Sequence, residues 1–229
     1  MNMASLFSGG KDSTYSTFLA ENQGHTIKCL LTVFPKSDES HLLHHPNILW
    51  TKLQSQSMQL PQIVACADSE GIGDEAAALE DILLQAKDDF DIEGLVHGGI
   101  SSKFQKTQFE TLCKRCGLEV LSPVWGSVPS AYMSNLLESG FEYVITSVSS
   151  GGLDDSWLGR KVTKDDVETL ASLSARHGFN MNFEGGEAET FVTNCPLFSR
   201  PIEISRGRRL WDGYRGRFEI LDARLTSNA

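Results

Sequence analysis

Near the start of the 229-residue chain, the run Ser8-Gly9-Gly10-Lys11-Asp12-Ser13 has the residue types and spacing for phosphate chemistry. A Gly-Gly pair lets the backbone reverse with no Cβ in the way, so that its amides can point at an anion. Lys11 adds a mobile cation, Ser8 and Ser13 add hydroxyl donors, and Asp12 can hold Mg²⁺ beside phosphates. Spacing excludes two other glycine-rich loops. A Walker loop needs G-x-x-x-x-G-K-[ST], but Ser5 replaces its first Gly and Asp12 its Ser/Thr. A dinucleotide fingerprint needs G-x-G-x-x-G, which Gly9-Gly10-Lys11 cannot supply.

A second segment, Glu184-Gly185-Gly186-Glu187-Ala188-Glu189-Thr190, sets three carboxylates around two glycines. Like charges this close repel unless a cation or a charged substrate sits among them. Taken alone, the segment reads as a solvated acidic turn before a strand. Cys113-Lys114-Arg115-Cys116 is a C-x-x-C within a helical pattern and lacks a second pair at zinc-ribbon spacing. Helix packing is the better account of it than metal or redox chemistry. His41, His44 and His45 share a loop with no matching fourth ligand, which favours a substrate or nucleotide contact over a metal.

Positioning these groups requires a scaffold, and the chain's rhythm supplies one. Apolar, β-branched runs at 3–7, 27–34, 62–67, 94–97 and 119–121 alternate with helical patterns at 13–22, 48–58, 74–86 and 103–116. Such β-α alternation predicts a doubly wound α/β domain with a parallel five-stranded sheet and helices on both faces. Ligands bind such sheets beyond the carboxyl ends of the strands, where strand order reverses, so the loop after the first strand is the expected site. Ser122-Pro123-Val124-Trp125-Gly126 marks a boundary, giving domains 1–124 and 125–229. Beyond it come helices at 128–139 and 164–177, the latter with Thr163 as N-cap and Gly178 as C-cap. Strands at 143–148, 190–194, 201–206 and 217–225 complete a smaller C-terminal α+β lobe.

The bulk properties narrow the function. With 40% hydrophobic and 22% charged residues, the chain has the makings of an ordinary globular core. No apolar stretch approaches a membrane span and no basic-then-apolar leader opens the chain, so no membrane partner and a cytoplasmic location are expected. A net charge of −10 argues against a broad nucleic-acid-binding surface. Arg206, Arg208, Arg209, Arg215 and Arg217 form a local basic exception, best read as a solvated strand edge. Five cysteines in a chain this long do not form a secreted disulfide framework.

The first motif resembles the SGGxDS pyrophosphate loop of the N-type ATP pyrophosphatases, which have the adenine nucleotide alpha hydrolase-like fold. With Glu184–Thr190 added, the chain resembles the diphthine–ammonia ligase family, whose second signature runs close to G-E-G-G-E-x-E-T. The likeness extends through Glu39-Ser40, His44-His45-Pro46-Asn47, Gly98-Gly99-Ile100-Ser101-Ser102-Lys103-Phe104-Gln105 and Pro123-Val124-Trp125-Gly126. It continues through Gly152-Leu153-Asp154-Asp155-Ser156-Trp157-Leu158-Gly159-Arg160 and Cys195-Pro196-Leu197-Phe198. Phe183 stands where the family usually has Gly, Ala188 where an aromatic is common, His45 where Thr is usual and Phe104 where Tyr is frequent.

The resemblance implies ATP-dependent amidation of diphthine, the modified histidine of elongation factor 2, through an acyl-adenylate that ammonia attacks. It implies ATP at Ser8, Gly9, Gly10, Lys11, Asp12 and Ser13, with Mg²⁺ held by Asp12 and the phosphates. Lys11, Asp12, Glu187 and Glu189 become the catalytic candidates. Acceptor contacts fall to Glu184, Gly185, Gly186, Glu187, Glu189, Thr190, Ser101, Ser102, Gln105, Asp154, Trp157, His44 and Asn47. Glu184, Phe183 and Trp157 suit the trimethylammonium group of diphthine. Free ammonium is the simplest nitrogen donor, no direct nucleic-acid partner is expected, and a second copy of the chain stays open as a partner. Two rival functions stay open as well: a tRNA-modifying enzyme that adenylates a base and uses Cys113 and Cys116 as thiols, and a non-catalytic ATP sensor.

Overall fold

A computed structural model describes residues 1–34, 47–67 and 72–227. Glu39, Ser40, His41, His44 and His45 lie outside the described residues. The chain forms two compact units, Met1–Trp125 and Gly126–Ala229.

The first unit runs β1 (Asn2–Leu6), α1 (Lys11–Asn22), β2 (Thr26–Phe34), α2 (Thr51–Met58), β3 (Gln62–Cys66), α3 (Ile72–Phe90), β4 (Gly94–Val96), α4 (Lys103–Cys116), β5 (Glu119–Leu121). Its five strands pair in parallel in the order β3-β2-β1-β4-β5. Alternation along the strands separates two buried faces. Ala4, Cys29, Leu31, Val33 and Leu95 pack with Leu79 and Leu83 of α3 and with Phe109, Leu112 and Cys113 of α4. Ser5 points the other way, its Oγ 2.7 Å from Thr17 Oγ1 of α1. α1 therefore covers the face opposite α3 and α4, and the sheet is doubly wound as the alternation predicts. Strand order reverses between β1 and β4, which puts the loops after these two strands at the switch point.

One boundary differs from expectation in a way that matters. α1 begins at Lys11, not Ser13, so Lys11 and Asp12 belong to its first turn. Gly10, the N-cap, has extended dihedrals that local patterning does not distinguish from a longer loop.

The second unit comprises α5 (Pro129–Glu138), β6 (Glu142–Val148), α6 (Lys164–His177), β7 (Ala188–Asn194), β8 (Ile202–Trp211) and β9 (Gly216–Leu225). Its four strands pair antiparallel in the order β7-β6-β9-β8. Thr163 and Asp166 cap α6 reciprocally, Gly178 closes it, and Arg160 adds an ion pair to Asp166. The β8–β9 hairpin is longer than its apolar pattern indicated, because β8 is an edge strand whose outer half is exposed. Arg206, Arg208 and Arg209 lie on that edge, and Arg208 and Arg217 both pair with Glu219, at 2.6 and 3.0 Å. This is the charged edge that discourages strand-to-strand association.

Cys113 and Cys116 are buried in α4, and burial pushes the Cys113 thiol up to about 12. Cys29 and Cys195, also buried, lie equally high. Thiolate is the reactive form, so these four positions are inert while the fold is intact. Titration of the native protein with a thiol reagent near neutral pH is expected to consume one equivalent, at the exposed Cys66, and all five only after unfolding. A second rapid equivalent from Cys113 or Cys116 would contradict that packing.

Candidate active site

At the end of β1 the chain turns through Phe7–Gly10 into α1, and each part of the turn is held from below. The Phe7 carbonyl accepts from Thr32 Oγ1 at 2.8 Å. Gln62 Nε2 donates both to Thr32 Oγ1 and to Thr51 Oγ1, each at 2.8 Å, and Thr51 donates onward to the Ile48 carbonyl at 2.6 Å. Gln54 Nε2 donates to the Gly9 carbonyl at 2.9 Å. Gly9 itself has φ +78°, and a side chain there would collide with Gln54 and Thr51. β2, β3 and α2 thus form a polar floor under the loop. None of these four side chains stood out in the sequence. The signal available was a helix whose inward stripe reads Thr51, Gln54, Ser55, Met58 where apolar residues are usual.

The loop's own side chains are close together. Ser8 Oγ lies 3.2 Å from Ser13 Oγ, and Ser13 Oγ donates to the Gly10 carbonyl at 3.2 Å. Gly10 offers no capping side chain, so the positive end of α1 carries no built-in side-chain acceptor at its N-cap. Lys11 is not the mobile arm expected of it. It is 2% exposed, and its Nζ sits 2.9 Å from Asp12 Oδ1. Asp12 remains 33% exposed. The loop after β4 reaches the same place. A Cβ on Gly98 would stand 2.7 Å from both the Asp12 carbonyl carbon and the Ser13 nitrogen, so only glycine permits this approach. Beyond it, Ser102 Oγ accepts from the Gln105 amide at 3.4 Å as the N-cap of α4, and Ser101 is exposed. Asn47 occupies the left-handed region at φ 63° one residue before a short 3₁₀ turn, a conformation asparagine tolerates.

In the second unit the segment 184–190 ends by entering β7, with Glu189 opposite Ser147 and Thr190 opposite Ile145 of β6. Ser149 ties it to β6, its amide donating to the Glu187 carbonyl at 2.9 Å and its Oγ to the Gly186 carbonyl at 2.6 Å. Glu187 Oε1 accepts from the Asn180 amide at 2.9 Å. Its Oε2 is buried and has no hydrogen-bond partner among the described residues. Asp154 caps the 3₁₀ turn Asp155–Trp157, accepting from the Ser156 amide at 3.0 Å. Trp157 is 4% exposed with the Arg160 guanidinium 4.9 Å from its ring centre. A cation already occupies one face of that ring, which favours packing over contact with a substrate cation. Phe183, 3% exposed, has φ +65°, the left-handed conformation that ordinarily favours glycine.

The first unit is thus a doubly wound α/β domain whose switch-point loop reads Ser-Gly-Gly-Lys-Asp-Ser. Residues 1–120 match the Diphthamide synthase N-terminal domain and residues 128–225 the Diphthamide synthase C-terminal domain. The diphthine–ammonia ligases of Rattus norvegicus and Homo sapiens are each 32% identical, over 223 and 227 residues, covering 89% of this chain and 83% of theirs. That of Schizosaccharomyces pombe is 26% identical over 90% of this chain, which spans 36% of that longer protein. The chain therefore belongs to the diphthamide synthase family of enzymes.

Two expectations concern stability. At Phe183 the left-handed backbone costs about 1–2 kcal/mol, whereas deleting a buried phenyl group costs about 3–5 kcal/mol. Phe183→Gly is therefore expected to destabilise by about 2–3 kcal/mol in denaturant unfolding. Phe183→Ala, which keeps the strain, should be worse, reversing the usual order of the two residues. At His97, burial and the neighbouring Lys106 lower the imidazole pKa from 6.5 to about 4. Between those values the unfolded chain binds a proton that the folded chain does not, so stability falls as pH drops from 6.5 towards 4. By pH 5 this one group should remove about 2 kcal/mol. Replacing it with Phe should flatten the difference between unfolding curves at pH 7 and pH 5 by that amount.

Proposed function

We propose that this protein converts diphthine on elongation factor 2 to diphthamide, consuming ATP and ammonium. The observation that supports the reading best is the β1–loop–α1 element at the switch point, in a chain of the diphthamide synthase family. The acceptor carboxylate attacks the α-phosphorus of ATP, giving an acyl-adenylate and pyrophosphate. Ammonia then attacks the acyl carbon, and AMP leaves with the former carboxylate oxygen.

In this reading the amides at Gly9, Gly10 and the first turn of α1 receive the phosphates, with hydroxyl donors from Ser8 and Ser13. The phosphates take over Lys11 from Asp12, whose partly exposed carboxylate is then released. That carboxylate suits Mg²⁺, which binds through one or two carboxylates plus phosphate oxygens rather than in an all-protein cage. When bound, the ion supplies further neutralisation of phosphate charge. A carboxylate nucleophile needs no general base, but ammonium must lose a proton before it attacks. We assign that proton to Glu187, whose Oε2 lacks a partner among the described residues, with Glu189 as second candidate. Glu184, Gly185, Gly186 and Thr190 are assigned to acceptor binding, with Glu184 on the trimethylammonium group. Ser101, Ser102, Gln105, Asn47 and Asp154 are placed in a supporting role, Ser102 and Asp154 through the caps they form. The rival thiol chemistry loses its reagents in the buried Cys113 and Cys116.

The test is release of AMP and pyrophosphate from ATP with Mg²⁺ and ammonium, with and without elongation factor 2 bearing diphthine. Release is expected only with the diphthine form, whose mass should fall by about one unit as OH becomes NH₂. Asp12→Ala should reduce turnover about a hundredfold or more, and Glu184→Gln should raise the acceptor KM while leaving the ATP KM near its original value. Turnover of ATP indifferent to the acceptor would reject the reading.

A further inference from the structure

His97 takes no part in the chemistry above, yet it follows β4 directly and borders the loop that abuts α1. It is 1% exposed, with its ring centroid 4.8 Å from that of Phe109 on α4. The Gly99 amide donates to its Nδ1 at 3.1 Å. That nitrogen must therefore carry the lone pair, and the proton of the neutral ring sits on Nε2. Nε2 is buried and has no hydrogen-bond partner among the described residues. Leaving a buried N–H unbonded is costly. A phenyl ring would fill the same space against Phe109 without that cost, but it could not accept from Gly99.

The turn so held is a brace. The Gly99 carbonyl accepts from Ser122 Oγ at 2.8 Å, just beyond β5, so both polar groups of the Gly99 backbone are tied. Between His97 and Gly99 lies Gly98, whose missing Cβ would stand 2.7 Å from the Asp12 carbonyl carbon and the Ser13 nitrogen. A shift of a few tenths of an ångström in this turn must move Gly98 against, or away from, the first turn of α1.

We propose that His97 is a positioning residue for the phosphate loop: its Nδ1 sets the Gly98-Gly99 turn, and the turn holds Lys11–Ser13 in place. The proposal rests on the reading of that loop as the ATP phosphate site. Burial and Lys106 keep the ring neutral well below neutral pH, so the acceptor is present throughout the working range.

Three variants separate the acceptor from the packing. His97→Phe keeps a ring against Phe109 and removes the acceptor. His97→Asn places a carboxamide oxygen near the Nδ1 position. Ser122→Ala removes the second tie. Two readouts are needed: hydrogen exchange of a peptide spanning Gly10–Ser13 in the ligand-free protein, and the ATP KM against kcat. His97→Phe is expected to raise exchange and ATP KM about tenfold with kcat changing less, at an undiminished melting temperature. His97→Asn should restore both, and Ser122→Ala should shift both in the same direction by less. If His97→Phe matches wild type in both readouts, or His97→Asn is as impaired as His97→Phe, the proposal is overturned. Should His97→Phe fail to fold, unchanged exchange in Ser122→Ala would overturn it. If wild type does not bind ATP, the phosphate-site reading falls, and the exchange data alone decide whether His97 holds the turn.

Discussion

The first turn of α1 rests against bare backbone at Gly98, and much of the first unit is arranged around that contact. β1 and β4 are parallel neighbours at the point where strand order reverses, so the chain leaving β4 arrives beside the helix that follows β1. There is no room for a side chain between them. A helix start fixed against backbone is fixed more rigidly than one resting on rotatable side chains. An anion site made from amides needs this rigidity, because amides give their full electrostatic benefit only when they do not have to reorient.

Rigidity on the other side comes from buried polar groups, and here the balance of energies is narrow. A net hydrogen bond is worth about 1 kcal/mol, while an orphaned buried donor or acceptor costs about 1–3 kcal/mol. Thr32, Thr51 and Gln54 are worth burying only because they bond the loop carbonyls and the half-buried Gln62. Their effect is specificity more than stability. An apolar floor could pack as well, but it would leave the Phe7 and Gly9 carbonyls free to rotate away from the geometry seen in this loop.

What the sequence made legible follows from the range of the forces involved. The α/β alternation, the glycine pair and the Thr163 and Gly178 caps are local patterns, and each has its counterpart in the fold. The burial of Lys11, 2% exposed at a helix start, is not encoded in any local period of the sequence. The roles of Gln54 and Gln62 depend on register between α2, β3 and the loop, which no local period encodes. Phe183 is a further case. Its identity suggests nothing unusual about the backbone, yet it adopts a left-handed conformation and places its ring inside. Backbone strain at this position is offset by burial of the ring.

The two motifs also differ in how their charges are stored. Lys11 and Asp12 neutralise each other in the first turn of α1; on the proposed reading, the loop folds without phosphate and the pair exchanges partners when phosphate binds. Glu187 has one oxygen fixed by the Asn180 amide, while the other is buried without a partner among the described residues. A buried carboxylate oxygen left bare is costly unless a donor is supplied from outside. On the reading proposed here, ammonium is such a donor: small, cationic and able to offer an N–H in any direction. The same bare oxygen can then take the proton that ammonium must lose, so the group that attracts the nitrogen source also converts it to the attacking form.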